Sequence, residues 1–322
     1  KIFVAGHKGM VGSSIKRLLQ KKSYSNLLLP TRKDLDLLKS EDVENWFLKN
    51  KPEVVILAAA KVGGINANNK YPADFILENI KIQTNIIENS WKSGVKRFLF
   101  LGSSCIYPKL APQPLKEEYL LTGPLEKTNE PYAIAKIAGI KLCSALKRQY
   151  GFDSISIMPT NLYGPGDNYH DKNSHVMPAL IRRIHNAKSK NKSEVICWGS
   201  GNPKREFLFV DDLAEACIFI LENITSTNES FENQSCYSDG LVNIGTGTDI
   251  SIKRLAELIA IELDYHGKIK WDTLKPEGTP RKLLDVSKIN KLGWEAKTCL
   301  EEGIKLTIKY YEKELKNESL RL

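Results

Sequence analysis

The sequence predicts an α/β fold built on a doubly wound parallel sheet, with a smaller, interleaved α/β substrate domain towards the C-terminus. Short apolar runs alternate with amphipathic segments through the first half of the 322 residues, which is typical of buried parallel strands joined by helices. A glycine-rich turn directly follows the first of these runs. The alternation then breaks after about residue 161, where a second region begins.

The predicted elements of the first region follow in strict alternation. The strands are expected at 2–5, 27–29, 54–59, 98–101 and 154–158. The helices between them are expected at 11–22, 41–49, 72–93 and 131–150. Each strand is a short apolar run, and each helix carries apolar residues at helical spacing.

The second region opens with a Gly/Pro/Asn-rich loop at 163–170. Further elements are predicted as helices at 176–186, 252–263 and 301–316, a strand at 195–198, and strands near 207–210 and 241–245 that return to the sheet. We therefore divide the chain into a nucleotide-binding domain at 1–164 and a mainly substrate-binding domain at 165–322. The segment at about 224–240 is interpreted as a variable insertion.

Composition excludes several classes of function. No apolar run approaches the roughly 18 residues of a membrane span, and no signal peptide is visible, so no membrane association is expected. The net charge of +9 is scattered rather than interleaved with aromatic residues, which disfavours nucleic-acid binding. The six cysteines show neither CxxC nor metal-ligand spacing. We expect reduced thiols, no metal, and a cytoplasmic location.

The glycine-rich turn predicts a dinucleotide site of the Rossmann type. Its glycines are Gly6, Gly9 and Gly12, and the residues between them complete the loop: His7, Lys8, Met10 and Val11. Glycines at a strand–helix junction let the backbone approach a pyrophosphate, which then meets the N-terminus of the helix.

The end of the second predicted strand indicates which dinucleotide binds. Enzymes that use NAD usually place an acidic residue there for the ribose 2′-hydroxyl. In this chain Arg32 occupies that region, and no acid occurs before Asp34. The guanidinium fork of Arg32 can pair with a 2′-phosphate, assisted by Lys8 in the loop. The sequence therefore favours NADP(H).

Three residues suggest hydride transfer at a carbonyl. Ser103 follows a buried strand, and Tyr132 and Lys136 are four apart on one helix face. Lys136 would lower the phenol pKa, and Tyr132 would act as acid towards the carbonyl oxygen. Ser103 would hydrogen-bond the same oxygen.

A thiol beside this set suggests a second chemistry. Cys105 lies two residues beyond Ser103, where a thiolate could remove a proton α to a ketone. A base of this kind needs an acid opposite it, and His175, which follows the Gly/Pro-rich loop, is the candidate. For each residue the alternative is a structural role. Basic and aromatic residues of the second region suit a diphosphate and a base or sugar, namely Arg183, Trp198, Arg205 and Lys282 beside Arg281.

These motifs together resemble the GDP-L-fucose synthases, a family of extended short-chain dehydrogenase/reductases. The resemblance runs from residue 2 to about residue 294. It rests on the glycine loop and on five further segments: 58–65 (AAAKVGGI), 102–108 (GSSCIYP), 129–136 (NEPYAIAK), 158–164 (MPTNLYG) and 198–201 (WGSG).

The resemblance implies that GDP-4-keto-6-deoxy-D-mannose is epimerised at C3 and C5 and then reduced at C4 by NADPH, in a homodimer whose contacts the helices at 72–93 and 131–150 could supply. Cys105 would be the epimerisation base and His175 the acid. Ser103, Tyr132 and Lys136 would serve the C4 carbonyl. Matching positions imply further cofactor contacts by Leu101, Gly102, Ser104, Pro159, Thr160, Asn161, Leu162 and His175, and substrate contact by Arg183, Trp198, Arg205, Glu277 and Lys282.

Three alternatives stay open at this point. A colitose-type synthase epimerises a single carbon, C5, and then reduces the 4-keto group. A nucleotide-sugar 4-epimerase would hold NAD tightly, which Arg32 opposes. A non-catalytic NADP-binding sensor would not need the Ser–Tyr–Lys set that the chain retains.

Overall fold

The computed structural model describes residues 1–171, 173–225, 240–275 and 278–322. Its strands are β1 (Ile2–Ala5), β2 (Leu27–Leu28), β3 (Val54–Leu57), β4 (Arg97–Leu101), β5 (Ser154–Pro159), β6 (Asn161–Tyr163), β7 (Glu194–Trp198), β8 (Lys204–Arg205), β9 (Phe207–Phe209), β10 (Leu241–Ile244), β11 (Ile250–Ser251), β12 (Lys268–Asp272) and β13 (Arg281–Lys282). Its helices are α1 (Met10–Lys21), α2 (Ser40–Asn50), α3 (Ile65–Lys70), α4 (Pro72–Lys92), α5 (Glu130–Tyr150), α6 (Val176–Ser189), α7 (Val210–Asn223), α8 (Ile252–Glu262), α9 (Ser287–Lys291) and α10 (Leu300–Lys316).

A six-stranded parallel sheet at the centre of the molecule confirms the predicted fold class. Its strands lie in the order β2-β1-β3-β4-β5-β10, and every neighbouring pair runs in the same direction. The chain moves outwards from β1 to β2 and then crosses back to β3, so the winding reverses between β1 and β3. Ligands of such sheets bind beyond the carboxyl ends of the strands at this reversal.

Apolar residues cover both faces of the sheet because alternate side chains of a strand point in opposite directions. In β4, Phe98 and Phe100 pack with residues of α2, α4 and α5, such as Phe47 and Ile86. Leu99, between them, packs on the other face with residues of α1 and α7. This two-sided burial explains why the strands are continuous apolar runs in the sequence.

The second region has its own core and three small sheets. Residues of α6, α8 and α10 pack together there, among them Ile181, Leu255 and Ile308. Parallel β7 and β12 form one sheet, and β11, β8 and β13 form another. The two regions are interleaved, because β10 and α7 come late in the chain yet pack within the first.

The strand predicted at 207–210 does not return to the central sheet, so that prediction was wrong. The observed β9 pairs with β6 in a separate two-stranded sheet, and Val210 begins α7. The position beside β5 is taken by β10 instead, and the segment that follows β5 forms β6, the partner of β9. The strand near 241–245 does join the sheet, beside β5. Most of the predicted insertion at 224–240 lies outside the described residues.

Within the ranges that the structure describes, no helix is both long enough and apolar enough to cross a bilayer. The same ranges contain no cluster of three His, Cys, Asp or Glu side chains that could hold a metal ion.

Candidate active site

The glycine-rich turn lies at the carboxyl end of β1, beside the reversal point of the sheet. Gly6 has a φ of +87°, and a Cβ on this residue would lie 2.7 Å from the backbone nitrogen of Ala59. A Cβ on Gly12 would overlap the carbonyl oxygen of Gly6. The Gly9 N–H donates to that same oxygen at 2.9 Å. Only glycines allow the strand, the turn and α1 to lie this close together.

The N-terminus of α1 suits a dinucleotide phosphate. Its N-cap is Gly9, which has no side chain to occupy the free N–H groups, and its first turn contains no acidic residue. The helix dipole and these N–H groups attract an anion. Burial, reinforced by Lys16 and Lys8, lowers the pKa of His7. Met10 and Val11, which follow the N-cap Gly9, are partly buried and begin the helix.

Two further segments border the glycine loop. The position of a Cβ on Gly166, in the Gly/Pro-rich loop, lies 3.8 Å from Met10 Cα, so this loop passes over the start of α1. The predicted cofactor residues at 159–162 lie at the end of β5 and in β6. The Thr160 N–H donates to Ile244 of β10 at 3.0 Å, which fixes this segment at the carboxyl edge of the sheet.

Arg32 lies exposed beyond the end of β2, as a residue that selects a 2′-phosphate should. The nearby acid, Asp34, is engaged by Thr31, whose N–H and hydroxyl donate to one carboxylate oxygen at 2.8 and 2.7 Å. These two hydrogen bonds lower the pKa of Asp34, and Lys8 contributes to the lowering. The Asp34 carboxylate is therefore hydrogen-bonded within the turn, while Arg32 is exposed to solvent.

The Ser–Tyr–Lys set comes together at the carboxyl end of β4. Ser103 follows this strand, and its side chain is hydrogen-bonded to the Tyr132 hydroxyl. Lys136, one turn further along α5, donates to the carbonyl oxygen of Leu101 at 2.8 Å. The edge of Phe75 meets the ring of Tyr132 at a centroid distance of 6.3 Å. The neighbouring Gly102 and Ser104 are buried beside this cluster.

The pKa of Tyr132 is raised, so the expectation that Lys136 lowers it was wrong for the protein without ligands. Burial raises the pKa of Tyr132, the nearby Cys105 raises it further, and the bond from Ser103 only partly opposes them. Burial also lowers the pKa of Lys136 to about 8. Tyr132 therefore keeps its proton at neutral pH, which a proton donor to a carbonyl oxygen requires.

Cys105 has two hydrogen-bond donors at its sulfur. The amide of Asn129 lies 3.3 Å from Sγ, and the ammonium of Lys282 lies 3.7 Å from it. The Cys105 N–H donates to Ser103 Oγ at 3.3 Å, which orients the turn. An amide and a cation that both donate to sulfur stabilise negative charge there. Thus the thiol and the Ser–Tyr–Lys set share one strand end.

His175 is the N-cap residue of α6 and retains solvent exposure. Desolvation by the surrounding protein lowers its pKa, and the Lys282 ammonium lowers it further. The loop before it is fixed by the Gly64 N–H, which donates to the Asn173 carbonyl at 3.0 Å. Lys282 therefore lies near both members of the predicted acid–base pair.

The predicted substrate residues form two pairs. The Arg183 guanidinium stacks on Trp198 at 4.5 Å from the ring centroid, and the Lys275 ammonium lies 5.8 Å from the same ring. Arg205 and Lys282 are direct partners in the parallel pairing of β8 with β13. The predicted contact Glu277 lies outside the described residues.

Lys275 and Gly278, three positions apart in the chain, each lie beside one of the two pairs. A Cβ on Gly278 would lie 2.9 Å from the guanidinium of Arg205, while Lys275 reaches Trp198. Three residue steps span at most about 11 Å of chain. The two pairs therefore lie close together, and Arg183 also borders a cavity of about 750 Å³ with Ile196.

Sequence reasoning missed two residues of the site. Asn129 precedes α5 as its N-cap residue, yet its amide donates to Cys105 instead of capping the helix. Its Oδ1 is buried with no hydrogen-bond partner among the described residues, so it can accept a bond from a ligand hydroxyl. Glu206 is completely buried behind Arg205. Asparagine before a Pro–Tyr pair was a signal for Asn129, whereas Glu206 gave none.

The arrangement combines a proton donor for a carbonyl oxygen with a separate acid–base pair. Tyr132 and Ser103 are hydrogen-bonded to each other at the end of β4, and Cys105 and His175 share the neighbour Lys282. A dinucleotide site adjoins them at the reversal of the sheet. This fold and site define a nucleotide-dependent oxidoreductase with a second proton-transfer function.

Comparison with known proteins agrees with this class. A model of the NAD dependent epimerase/dehydratase family matches residues 2–233. The chain belongs to this family and, within it, to the GDP-L-fucose synthases.

Three relatives illustrate the similarity. The putative GDP-L-fucose synthase 2 of Arabidopsis thaliana is 57% identical over 97% of this chain and 91% of its own length. The GDP-L-fucose synthase of Escherichia coli K12 is 52% identical over 97% and 96%. The solved structure of MlghC, a GDP-mannoheptose C4 reductase from Campylobacter jejuni with NADP bound, has a TM-score of 0.87, 39% identity, and coverage of 97% and 98%.

Proposed function

We propose that the protein is a bifunctional, NADPH-dependent epimerase–reductase that converts GDP-4-keto-6-deoxy-D-mannose to GDP-L-fucose. The observation that carries this proposal is the position of Cys105, held by Asn129 and Lys282 beside the Ser103–Tyr132–Lys136 set. An enzyme that only reduced the ketone would need only the Ser103–Tyr132–Lys136 set. The Cys105 thiol, with a cation at its sulfur, can in addition act as a base towards the same sugar ring.

In the first step Cys105 and His175 move protons on carbon. The 4-keto group makes the hydrogens at C3 and C5 acidic, and the Cys105 thiolate removes one of them. The electron pair of the broken C–H bond passes to the C4 oxygen, where Tyr132 and Ser103 donate hydrogen bonds to the enolate. His175 returns a proton to the opposite face of the carbon, which inverts it.

In the second step the C4 ketone is reduced. The glycine loop and Arg32 would hold NADPH, which would supply the hydride. Tyr132 delivers its proton to the C4 oxygen, and its raised pKa keeps this proton available across neutral pH. Lys136, anchored to the Leu101 carbonyl, holds the nicotinamide ribose side of the site. We assign Arg183, Trp198, Arg205 and Lys282 to the GDP-sugar, and Glu277 remains a proposed contact.

The proposed reaction divides the chain between two ligands. Residues 1–164 serve mainly the NADP(H) side, and residues 165–322 serve mainly the GDP-sugar.

We also propose a homodimer formed by α4 and α5, since Leu77 and Ile134 on these packed helices are 54% and 43% exposed. A single species of twice the chain mass in light scattering tests this. The five described cysteines are free thiols, in keeping with a cytoplasmic location.

The test of the function is an incubation with GDP-4-keto-6-deoxy-D-mannose and NADPH in D₂O. We expect NADPH oxidation together with deuterium at both C3 and C5 of the product, read by NMR. Deuterium at one carbon only would favour a colitose-type enzyme instead. Oxidation with no deuterium at either carbon would contradict the epimerase half, and a 4-epimerase would consume no NADPH.

A further inference from the structure

A completely buried carboxylate, that of Glu206, lies directly behind the substrate cations. The side chain has no solvent exposure. One carboxylate oxygen accepts the N–H groups of Thr246 and Gly247 at 2.6 and 2.8 Å, and the other accepts the N–H of Leu284 at 2.9 Å. A buried charge is costly unless hydrogen bonds compensate it, so this arrangement is a built feature of the fold.

The backbone of Glu206 connects two more segments. Its carbonyl accepts the Asn161 amide at 2.8 Å and the Thr160 hydroxyl at 3.2 Å. Its N–H donates to the carbonyl of Lys282 at 3.3 Å. A single residue therefore bonds to the junction of β5 and β6, to the turn after β10, and to the strand that carries Lys282.

We propose that Glu206 is a positioning residue for epimerisation, which sets the register of β13 so that Lys282 meets Cys105. Its carboxylate anchors Leu284, two residues beyond Lys282, and β13 contains only two residues. So short a strand cannot hold its own register through pairing with β8 alone, and the bond to Glu206 adds to the backbone bonds that Leu115 makes with Leu283 and Asp285. The carboxylate makes no contact with Tyr132 or Lys136, so reduction should depend on it much less.

The Glu206→Gln substitution separates this role from simple packing. Glutamine keeps the shape, and its single oxygen can serve the paired N–H groups of Thr246 and Gly247. Its NH₂ group would then face the Leu284 N–H, donor against donor. The substitution thus removes the hydrogen bond to Leu284 beside β13 and keeps those to Thr246 and Gly247. Thr307→Val is the matched control, because it removes one buried hydrogen bond, to Gly303 in α10, away from the cleft.

The first readout is alkylation of Cys105 by iodoacetamide at pH 7, followed by peptide mass spectrometry, which needs no substrate. The exposed Cys299 in the same chain is the internal standard. Because the thiolate is the nucleophile and Lys282 stabilises it, E206Q should slow alkylation of Cys105 by about tenfold and leave Cys299 unchanged. T307V should change neither rate.

The second readout rests on the proposed function. With the 4-keto sugar and NADPH, E206Q should raise the share of reduced product that retains the original C3 and C5 configurations, while T307V should not. A folded E206Q protein with normal Cys105 alkylation overturns the positioning role. Slowed alkylation with no turnover of this sugar in wild type supports the positioning role and overturns the proposed function instead.

Discussion

The two halves of the site are built in different ways. The reduction residues belong to long elements of the central sheet region: Ser103 follows β4, and Tyr132 and Lys136 share the 21-residue helix α5. The epimerisation residues come from separate short segments. Cys105 lies in a single turn, Lys282 in a two-residue strand, and His175 at a helix start.

We therefore expect the two chemistries to be separable by substitution. Rigid, local elements fix the proton donor for the carbonyl, whereas contacts between distant segments assemble the acid–base pair. Substitutions in the assembled half should therefore affect epimerisation more than reduction, and substitutions in α5 should do the reverse.

The largest effect is expected for Tyr132→Phe. It removes the proton donor for the C4 oxygen, and positioned acids typically contribute about 10²–10⁴-fold. NADPH oxidation should fall by this factor, while deuterium exchange at C3 and C5, followed by NMR, should fall less, because Ser103 still donates to the enolate. Tyr150→Phe on the same helix is the control. Equal loss of both activities would mean that the halves are not separable.

Lys282→Met should weaken the assembled half. It removes the cation 3.7 Å from Cys105 Sγ, and loss of a charge-assisted hydrogen bond corresponds to a roughly 10–100-fold effect. Deuterium exchange should slow by this amount. Lys204→Met, in the paired strand β8, is the control, and equal slowing in both variants would contradict a specific role for Lys282.

Arg32→Ala tests cofactor selection apart from either chemistry. Removal of an Arg–phosphate pair should weaken NADPH binding by roughly tenfold and leave NADH binding nearly unchanged. Fluorescence titration of both nucleotides measures the ratio, with Lys33→Ala as the control. An unchanged ratio of the NADPH and NADH affinities would mean that residues other than Arg32 select the 2′-phosphate.

The smallest effect concerns stability. Burial lowers the folded-state pKa of Lys136 to about 8, below its ordinary value. The buried charge therefore destabilises the fold by its full amount below pH 8. This cost disappears by about pH 10.5, where the unfolded chain also loses the proton. Lys136→Met should abolish reduction yet raise the free energy of unfolding at pH 7 by about 1–2 kcal/mol, after loss of the bond to Leu101.

Urea unfolding at several pH values measures this difference. The advantage of Lys136→Met should shrink as pH rises from about 8 to about 10.5, because wild type gains stability as its buried ammonium loses its proton. A variant that is less stable than wild type at pH 7 would contradict the assigned burial cost.

The sequence predicted the local half of the molecule well, because its signals lie within a few residues. The four-residue spacing of Tyr132 and Lys136, and the glycines after β1, depend on one helix and one turn. It could not predict that Lys282 reaches Cys105 across 177 positions. It also missed Asn129 as a donor and placed β9 in the wrong sheet, since both depend on which neighbours the fold supplies.

The most direct test of two chemistries in one site is Cys105→Ser in D₂O with the 4-keto sugar and NADPH, with Cys299→Ser as control. We predict that deuterium incorporation at C3 and C5 falls by about 10²–10⁴-fold, while NADPH oxidation continues and yields unepimerised product. Normal deuterium incorporation would contradict the role of Cys105. Equal loss of both reactions, with NADPH binding intact, would contradict the separation of the two halves.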